Sequence, residues 1–516
     1  MKKIKDNLIV NNFSKSIFLL IVALYVFNSF KLNYYEVLFI DERLIVDDIY
    51  NVWLIDDVYN NFQNIENKIL KNILVVLYEI SYGGDLRYGR LWSNFFIIFS
   101  GPFSLISDTF LITFTRVLNI LLFVFSISIL TKTFINKKYR WIFMLSCLSI
   151  PGLEFLIRIP KPEFLSIFLI SIGLYFLKEG KTYLSLFLFG LASFVKLNFI
   201  LLYAIIFLFV LWSSAHKTKL IFKTILIFFG ALIFVNPILI IPPLKIFQAT
   251  MPNFYSEYFK WISSEGFKGQ NKLFSVDFSI EWSKTLASFY KAPDSLYLLP
   301  TILLLLLILI LFQYSLKNKE YLSTVFLSTS TLYLMFYFLF IERQFDFYLT
   351  LPFLILLVSF FMNIDYLLEQ KKLKYILLIP FIVFFTIGIY SNLELNFKNK
   401  ILSTSQELGY QNISDQEDAK LLINEVLNNI EMILSGDTSR DSYIVLWNPN
   451  LFMPRNGVTY NSNFYVRENW EHDNLDNILL RSQIFVTNQT ATYSINNAEY
   501  SFKSESATED QFKMYE

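Results

Sequence analysis

The chain is poor in the residues that metal sites and nucleophilic enzymes most often use. It has one cysteine, Cys147, which lies inside an apolar run. Because a disulfide needs two cysteines, none can form within the chain. Its two histidines, His216 and His472, are far apart and are predicted on opposite sides of a membrane. A histidine metal site or a serine–histidine triad in the membrane is therefore disfavoured, and acid–base chemistry falls to aspartate and glutamate. The formal net charge of +1 gives no indication of nucleic acid binding, and no nucleic acid partner is expected.

Apolar residues are abundant instead. The chain is 54% hydrophobic and 18% aromatic, and its mean hydropathy is +0.46. These values are typical of an α-helical polytopic membrane protein. The first apolar run, 16–30, has no small-residue cleavage site and is interpreted as an anchor. The later runs predict about eleven transmembrane helices in all and fall near 105–131, 141–157, 163–178, 182–195, 197–212, 220–241, 295–315, 322–341, 347–367 and 374–391.

Basic clusters orient these spans. With eleven spans, six lysine and arginine clusters fall on one side, which the positive-inside rule makes the cytoplasm of a multi-pass plasma (inner) membrane protein. The N-terminus is then cytoplasmic. The clusters lie at 2–5, 137–140, 178–181, 217–223, 317–319 and 371–374.

The other side receives two large loops and a polar tail. The loops are about 31–104, with a predicted amphipathic interfacial helix at 69–80, and about 242–294. They complete a transmembrane domain over 1–391. The tail, 392–516, has strand-like pieces at 443–447 and 483–486 and predicts a small extracytoplasmic α/β domain.

An acidic pair just after the first span is the leading catalytic candidate. Asp41 and Glu42 lie where carboxylates are costly unless they face a polar cavity. Glycosyl transfer without a covalent intermediate needs a carboxylate to take the proton of the acceptor. The alternative is an interfacial helix cap. The acids at 47–48 and 56–57 are more typical of a solvated face.

Two further features place charge between short apolar helices. The turn at 158–163 carries Arg158, Lys161 and Glu163, which favour an anionic ligand or an ion pair with Asp41 or Glu42. The alternative is a salt-bridged turn whose cations reach the surface. Lys196 lies between two apolar helices, where a lysine costs about 2.5–3.5 kcal/mol at a helix centre, and a phosphate could compensate it.

Two arginines are predicted on the same side of the membrane. Arg90 lies in the element at 88–92, before the second span, where it could grip phosphate or serve with Trp92 as an interfacial anchor. Arg343 follows the ninth span and could bind the leaving phosphate through its planar fork. Glu342 and Asp346 could instead neutralise it.

The order of these landmarks resembles the GT-C superfamily of membrane glycosyltransferases. Within it, the closest likeness is to bacterial relatives of protein mannosyltransferases and aminoarabinose transferases, families 39 and 83. The likeness covers about 30–390; the element at 88–91 lacks the family's prolines, and Arg343 lacks the adjoining tyrosine. In family order, the landmarks are the Asp-Glu pair at 41–42, the element at 88–91, the Lys-Pro-Glu turn at 161–163, the segment 190–196, Asn236-Pro237, Arg343 and Pro352.

The resemblance implies roles for several residues. Asp41 would be the catalytic base, while Lys196 and Arg343 would stabilise the polyprenyl phosphate leaving group. The donor would be a polyprenyl-phosphate-linked sugar, and the anomeric carbon would be inverted. Some members use a divalent cation and others do not, so metal dependence stays open.

These observations predict an enzyme that transfers a sugar to a cell-envelope acceptor at the outer face of the plasma membrane. The acceptor class, whether glycan, lipid or protein, is left open, and membrane lipids are the remaining partners. The alternatives are a flippase or transporter for lipid-linked sugars and a glycan polymerase or ligase. Charges gathered at one face favour the enzyme, since a transporter would place charged or broken helices near the midplane.

Overall fold

The computed structural model describes most of the helical part of the chain and six strands near its end. Three predicted site residues, Asp41, Glu42 and Arg343, lie outside the described residues. The described residues are 2–31, 45–46, 48–49, 52–53, 67–81, 90–214, 216–235, 276–341, 346–369, 371–397, 443–446, 464–466, 482–487, 492–495, 498–501 and 513–515.

Helices follow the apolar runs of the sequence closely. Most are apolar around their circumference, as expected for helices that contact lipid or one another. The helices are α1 (Lys2–Lys31), α2 (Lys68–Ser81), α3 (Arg90–Phe99), α4 (Asp108–Phe134), α5 (Arg140–Ser146), α6 (Leu153–Arg158), α7 (Pro162–Lys178), α8 (Thr182–Val195), α9 (Ile200–Ser213), α10 (Lys217–Val235), α11 (Val276–Phe289), α12 (Leu299–Lys317), α13 (Tyr321–Phe340), α14 (Thr350–Met362), α15 (Ile364–Glu369) and α16 (Lys371–Phe397).

Five segments of the described chain are long and apolar enough to cross a membrane. Several shorter apolar helices accompany them, among them α8 and α9. A helical membrane protein was the prediction, and the helices agree with it; the number eleven stays a prediction. The five long segments are Asn11–Phe30, Phe110–Phe134, Lys217–Val235, Asp294–Lys317 and Tyr321–Phe340.

The chain divides into two compact units. The first comprises 1–29, 85–92 and 116–411 and holds most of the helices. The second comprises 30–84, 93–115 and 412–516. The boundary at 391 and the extracytoplasmic position of the tail stay predictions.

In the second unit, the amphipathic helix predicted at 69–80 is confirmed as α2. Ile69, Ile73, Leu77 and Ile80 form an exposed apolar stripe along it. Its location at a membrane interface stays a prediction.

Short strands occur at both places where the tail was predicted to form them. Strand β1 pairs in parallel with β2 and β3, β3 pairs antiparallel with β6, and β4 and β5 form an antiparallel pair. The strands are β1 (Tyr443–Leu446), β2 (Phe464–Val466), β3 (Ser482–Thr487), β4 (Thr492–Ile495), β5 (Ala498–Ser501) and β6 (Lys513–Tyr515).

The predicted span at 141–157 is not one continuous helix. It consists of α5, a 3-10 turn at Cys147–Ser149 and α6. Ile150 is extended, as residues before proline usually are, and Pro151 has no amide hydrogen to continue the helix. Gly152 has a φ of 76°, and a Cβ there would lie 2.3 Å from the backbone of Phe347. Only glycine fits this turn and its close contact.

Side chains from three distant segments hydrogen-bond the carbonyls that this break releases. Asn392 of α16 donates to the carbonyls of Leu148 and Ile150, both at 2.9 Å. The Thr350 hydroxyl donates to the Pro151 carbonyl at 3.2 Å. At the end of α6, Asn119 of α4 donates to the carbonyls of Leu156 and Ile159. Lipid offers no such donors, so the broken helix depends on these side chains.

A second polar network lies at the turn after α4. Asp365 accepts hydrogen bonds from Tyr139 at 2.7 Å and Asn136 at 3.3 Å, and pairs with Lys138. Partial burial alone would raise the pKa of the Asp365 carboxyl, but these contacts outweigh burial and lower the pKa below its usual value. The network joins the turn after α4 to α15.

Replacing Asn392 with leucine is expected to destabilise the protein. The substitution leaves two buried carbonyls without their donor, which costs about 1–3 kcal/mol in the free energy of unfolding. Denaturant unfolding in detergent micelles measures the change. The matched control is Thr386→Val, an exposed site on the same helix, expected to stay within about 0.5 kcal/mol of wild type. Equal stability of both variants would show that Asn392 does not support the break.

Candidate active site

Three predicted site residues meet at one end of α7 and α8. The Lys196 ammonium lies 2.7 Å from Oε1 of Glu163. Lys161 is linked to Lys196 by the ring of Phe347, whose centroid is 4.7 Å from the Lys161 nitrogen and 5.9 Å from the Lys196 nitrogen. Lys161, Glu163 and Lys196 are called the ionic cluster below.

Local sequence explains why these charges sit at helix ends. Lys161 is extended before Pro162, and Pro162 occupies the first turn of α7, where its missing N–H is not needed. Glu163 then lies in that first turn, where a negative charge is favoured by the helix dipole. Lys196 is extended and ends α8, so the prediction of two short helices that meet at Lys196 is confirmed.

The start of α7 and the end of α8 adjoin because a short turn joins the two helices. Gly180 lies in that turn, so the helices run antiparallel side by side. The Ser166 hydroxyl of α7 donates to the Ala192 carbonyl of α8 at 3.2 Å, which ties the two ends together. The ionic cluster is therefore a consequence of the α7–α8 pairing.

The side chains of the ionic cluster have little exposure to solvent. The Glu163 side chain is 4% exposed and that of Lys196 is 13% exposed. Lys161 is also buried. Within the described part of the chain, Oε2 of Glu163 has no hydrogen-bond partner. Buried charges in this state are costly unless paired, and Lys196 supplies the pairing.

Aromatic rings hold both ammonium groups in place. Phe155 and Phe347 stack with centroids 5.0 Å apart, and Lys161 lies over both rings. Lys196 lies over Phe347 and, at 5.8 Å, over Tyr348. Contact of a cation with an aromatic face is stabilising, more so away from water, so these rings help to fix the cations.

A wall of tyrosines adjoins the ionic cluster. Tyr337 stacks against Tyr348 at 5.5 Å and against Trp282 at 6.0 Å. Asn198 donates to the Tyr337 hydroxyl at 3.3 Å, and the Tyr333 hydroxyl donates to the Asn198 carbonyl at 2.9 Å. Tyr348 and Asn198 are partly exposed. The Asn198 side-chain oxygen has no hydrogen-bond partner among the described residues.

The remaining predicted site residues are placed less fully. Arg90 begins α3 and is buried. Arg158 is the last residue of α6, and its side chain is not described. Asp41, Glu42 and Arg343 lie outside the described residues. Their predicted roles stay predictions.

The sequence interpretation missed several buried polar residues of the helical region. Glu154 and Arg116 are fully or nearly fully buried within apolar runs, and an ionisable residue in such a run was the available signal. Asp346 is buried and accepts a hydrogen bond from the Phe347 amide at 2.9 Å. The tyrosine wall gave no signal, because tyrosine is common throughout this chain.

No group of three or more histidine, cysteine or acidic residues that could hold a metal ion occurs among the residues that the structure describes. The carboxylates of the two large loops lie mostly outside those residues. Metal dependence therefore stays open.

An apolar cavity of about 390 Å³ lies close to the helix break. Its lining begins at Ser149 and Ile150 and continues over α11, α12, α14 and α16. Leu306, one of its lining residues, is 48% exposed, so the cavity opens to the surface of the helices. An apolar cavity that opens among membrane helices suits an apolar chain.

A double-mutant cycle on Glu163 and Lys196 should show strong coupling. Glu163→Gln and Lys196→Met each remove one partner of a buried pair and are expected to cost about 3–5 kcal/mol in the free energy of unfolding. The double variant should cost less than their sum by about 1–3 kcal/mol. Unfolding in micelles measures all four proteins.

The matched control is the pair Glu281 and Lys284, which is also joined at 2.8 Å but is about half exposed. No measurable coupling is expected there, because solvent screens exposed pairs. If the coupling at Glu163 and Lys196 were as weak as in the control, the ion pair would not organise this site.

Comparison with known proteins places this site in a family context. Residues 93–340 match the model of Glycosyltransferase family 87, and this region contains the ionic cluster and the tyrosines Tyr333 and Tyr337. Comparisons with curated proteins and with solved structures found no match. The likeness to families 39 and 83 in particular stays a prediction. Because family 87 is a GT-C-type family of membrane glycosyltransferases, the match confirms the resemblance to the GT-C superfamily and indicates that the chain is a glycosyltransferase.

Proposed function

We propose that the protein moves a sugar from a polyprenyl-phosphate donor to a cell-envelope glycan, lipid or protein at the outer face of the plasma membrane, with inversion. The ionic cluster is the observation that carries this proposal. The buried Lys161 and the largely buried Lys196, held at helix ends and linked through Phe347 and Gly152 to the segment that lines an apolar cavity, match a ligand with an anionic head and an apolar tail.

The cluster and the cavity are joined by one short segment. Ser149 and Ile150 line the cavity, and Gly152 packs against the backbone of Phe347. The ring of Phe347 in turn contacts Lys161 and Lys196. A donor phosphate at the lysines could therefore extend its polyprenyl chain into the cavity, with the rest of the chain in the bilayer.

Lysine charge would act on the leaving group. The acceptor oxygen attacks the anomeric carbon, the bond from that carbon to the phosphate oxygen breaks, and the electron pair leaves with polyprenyl phosphate. The acceptor proton passes to the carboxylate of Asp41 in its predicted role. Negative charge grows on the phosphate oxygen, and the ammoniums of Lys161 and Lys196 oppose it in a site with little water.

Glu163 would have a positioning role in this scheme. It holds the Lys196 ammonium at 2.7 Å and so keeps it oriented when no donor is bound. A phosphate would then compete with Glu163 for the same ammonium, which limits the desolvation cost of donor binding.

The sugar would lie against the tyrosine wall. Tyr348 offers a partly exposed ring for stacking, and the side-chain amide of the partly exposed Asn198 suits a hydrogen bond to a sugar hydroxyl. Both adjoin the ionic cluster, so a sugar linked to a bound phosphate could reach them.

Replacing Asp41 with asparagine tests the catalytic base. The purified protein is incubated with radiolabelled polyprenyl-phosphate sugars and an envelope acceptor fraction, and released polyprenyl phosphate and labelled product are measured. Wild type is expected to turn over, and Asp41→Asn is expected to bind donor without turnover, because the acceptor proton has no base. Asp57→Asn, in the same loop, is the matched control and should retain activity.

Three results would contradict parts of this proposal. Full activity of Asp41→Asn would remove the assignment of the base. Labelled lipid that crosses vesicle membranes without consumption of donor would favour a flippase. Transfer of preassembled glycan chains in place of single sugars would favour a polymerase or ligase.

Lys196→Gln is expected to lower kcat by about 10²–10³-fold, the usual effect of removing one group that stabilises transition-state charge. The same transfer assay measures it under saturating donor. Lys284→Gln, at an exposed site on α11, is the control and should keep the wild-type kcat. Wild-type turnover by Lys196→Gln would exclude this lysine from stabilising the leaving group.

A further inference from the structure

A second cavity, of about 400 Å³, lies at the opposite end of α7 from the ionic cluster. It is formed between the last turns of α4 and α7. Its walls are largely apolar and its rim carries charge. The lining residues are Ile129, Lys132, Thr133, Ile172, Tyr175, Phe176, Lys178 and Glu179.

Cations outnumber the carboxylate at the rim of this cavity. Lys132 and Lys178 line it directly. Lys181 lies 5.3 Å over the ring of Phe176, a lining residue, and Arg140 donates to the Lys132 carbonyl at 3.5 Å. Among the residues that line the cavity, the cations are Lys132 and Lys178 and the carboxylate is Glu179. An anionic group would therefore find a favourable potential at this rim.

The geometry of Lys178 fixes one of these cations at the mouth of the cavity. Its ammonium donates to the Thr133 carbonyl at the end of α4 and lies 5.5 Å over the ring of Phe134. Lysine at a helix C-terminus also interacts favourably with the helix dipole. A role limited to capping α4 is thus the competing explanation, and the experiment has to separate the two.

We propose that this cavity binds an anionic phospholipid. The headgroup phosphate would lie between Lys132 and Lys178, and an acyl chain would run along Ile129 and Ile172 beside the partly open ring of Tyr175. Basic pockets between membrane helices on the cytoplasmic side recognise such headgroups, and this cavity adjoins two of the basic clusters predicted there. The site is separate from the ionic cluster, so it does not rest on the proposed transfer reaction.

Lipid binding by the full-length protein tests the proposal. The protein is purified in a neutral detergent, and phosphatidylglycerol, phosphatidylcholine or inorganic phosphate is added. Bound lipid is counted by native mass spectrometry, and the Tm is followed in parallel. Wild type is expected to bind phosphatidylglycerol at least about tenfold more tightly than phosphatidylcholine, with a rise in Tm, because about two charged contacts are gained.

The double variant Lys132→Gln/Lys178→Gln should lose most of this preference, and Lys178→Arg alone should keep it. The matched control is Lys219→Gln/Lys317→Gln, which removes two exposed lysines from other basic clusters on the same side and should bind like wild type.

Each other outcome would overturn the proposal. Lys132→Gln/Lys178→Gln could bind phosphatidylglycerol as wild type does and have a Tm that is lowered equally with and without lipid. This outcome would mean that Lys178 only caps α4. An equal effect of inorganic phosphate would mean that the site takes a simple anion. Equal binding of phosphatidylcholine would mean that the cations make no contribution to lipid choice.

Discussion

Carbonyl groups freed at the break between α5 and α6 must find donors inside the protein, because hydrocarbon offers none. Asn392 and Thr350 supply donors at the break, and Asn119 supplies one just beyond it. These residues come from α16, α14 and α4, so satisfying one interrupted helix fixes the positions of three others. At Gly152 the break packs against the backbone of Phe347. The ring of Phe347 contacts both lysines of the site, Lys161 and Lys196. The geometry of the site thus follows from the hydrogen bonds that satisfy the carbonyls at the break.

The pairing of Glu163 with Lys196 has a meaning beyond stability. A buried ion pair is weak evidence for a stabilising role, because desolvation of both charges offsets most of their attraction. Apolar residues would hold the ends of α7 and α8 together at least as well. Retention of charge at this buried place accords with a lysine that can exchange its carboxylate for a phosphate, which is what the proposed reaction requires.

The local sequence predicted the turns and helix ends of this site. It did not predict the contacts between residues far apart in the chain. Lys196 in an apolar run predicted a helix break, and the prolines around Lys161 predicted a turn; both are present. The partner of Glu163 was not predicted, because only the antiparallel packing of α7 on α8 brings Lys196 to it. Asn392 lies 244 residues from Leu148, and an amide in an apolar helix gives no indication of its acceptor. Pairings that depend on helix packing need the fold itself.

Helix α7 carries a charged residue near each end and none between them. It has 17 residues, a length of about 25 Å, slightly less than the roughly 30 Å of a bilayer's hydrocarbon core. In the predicted orientation, Glu163 and Lys178 therefore mark two levels near the opposite surfaces of the membrane. A thicker bilayer would draw one of these charged ends into hydrocarbon or force the helix and its neighbours to adapt. A change in bilayer thickness would therefore alter the geometry of the site through α7.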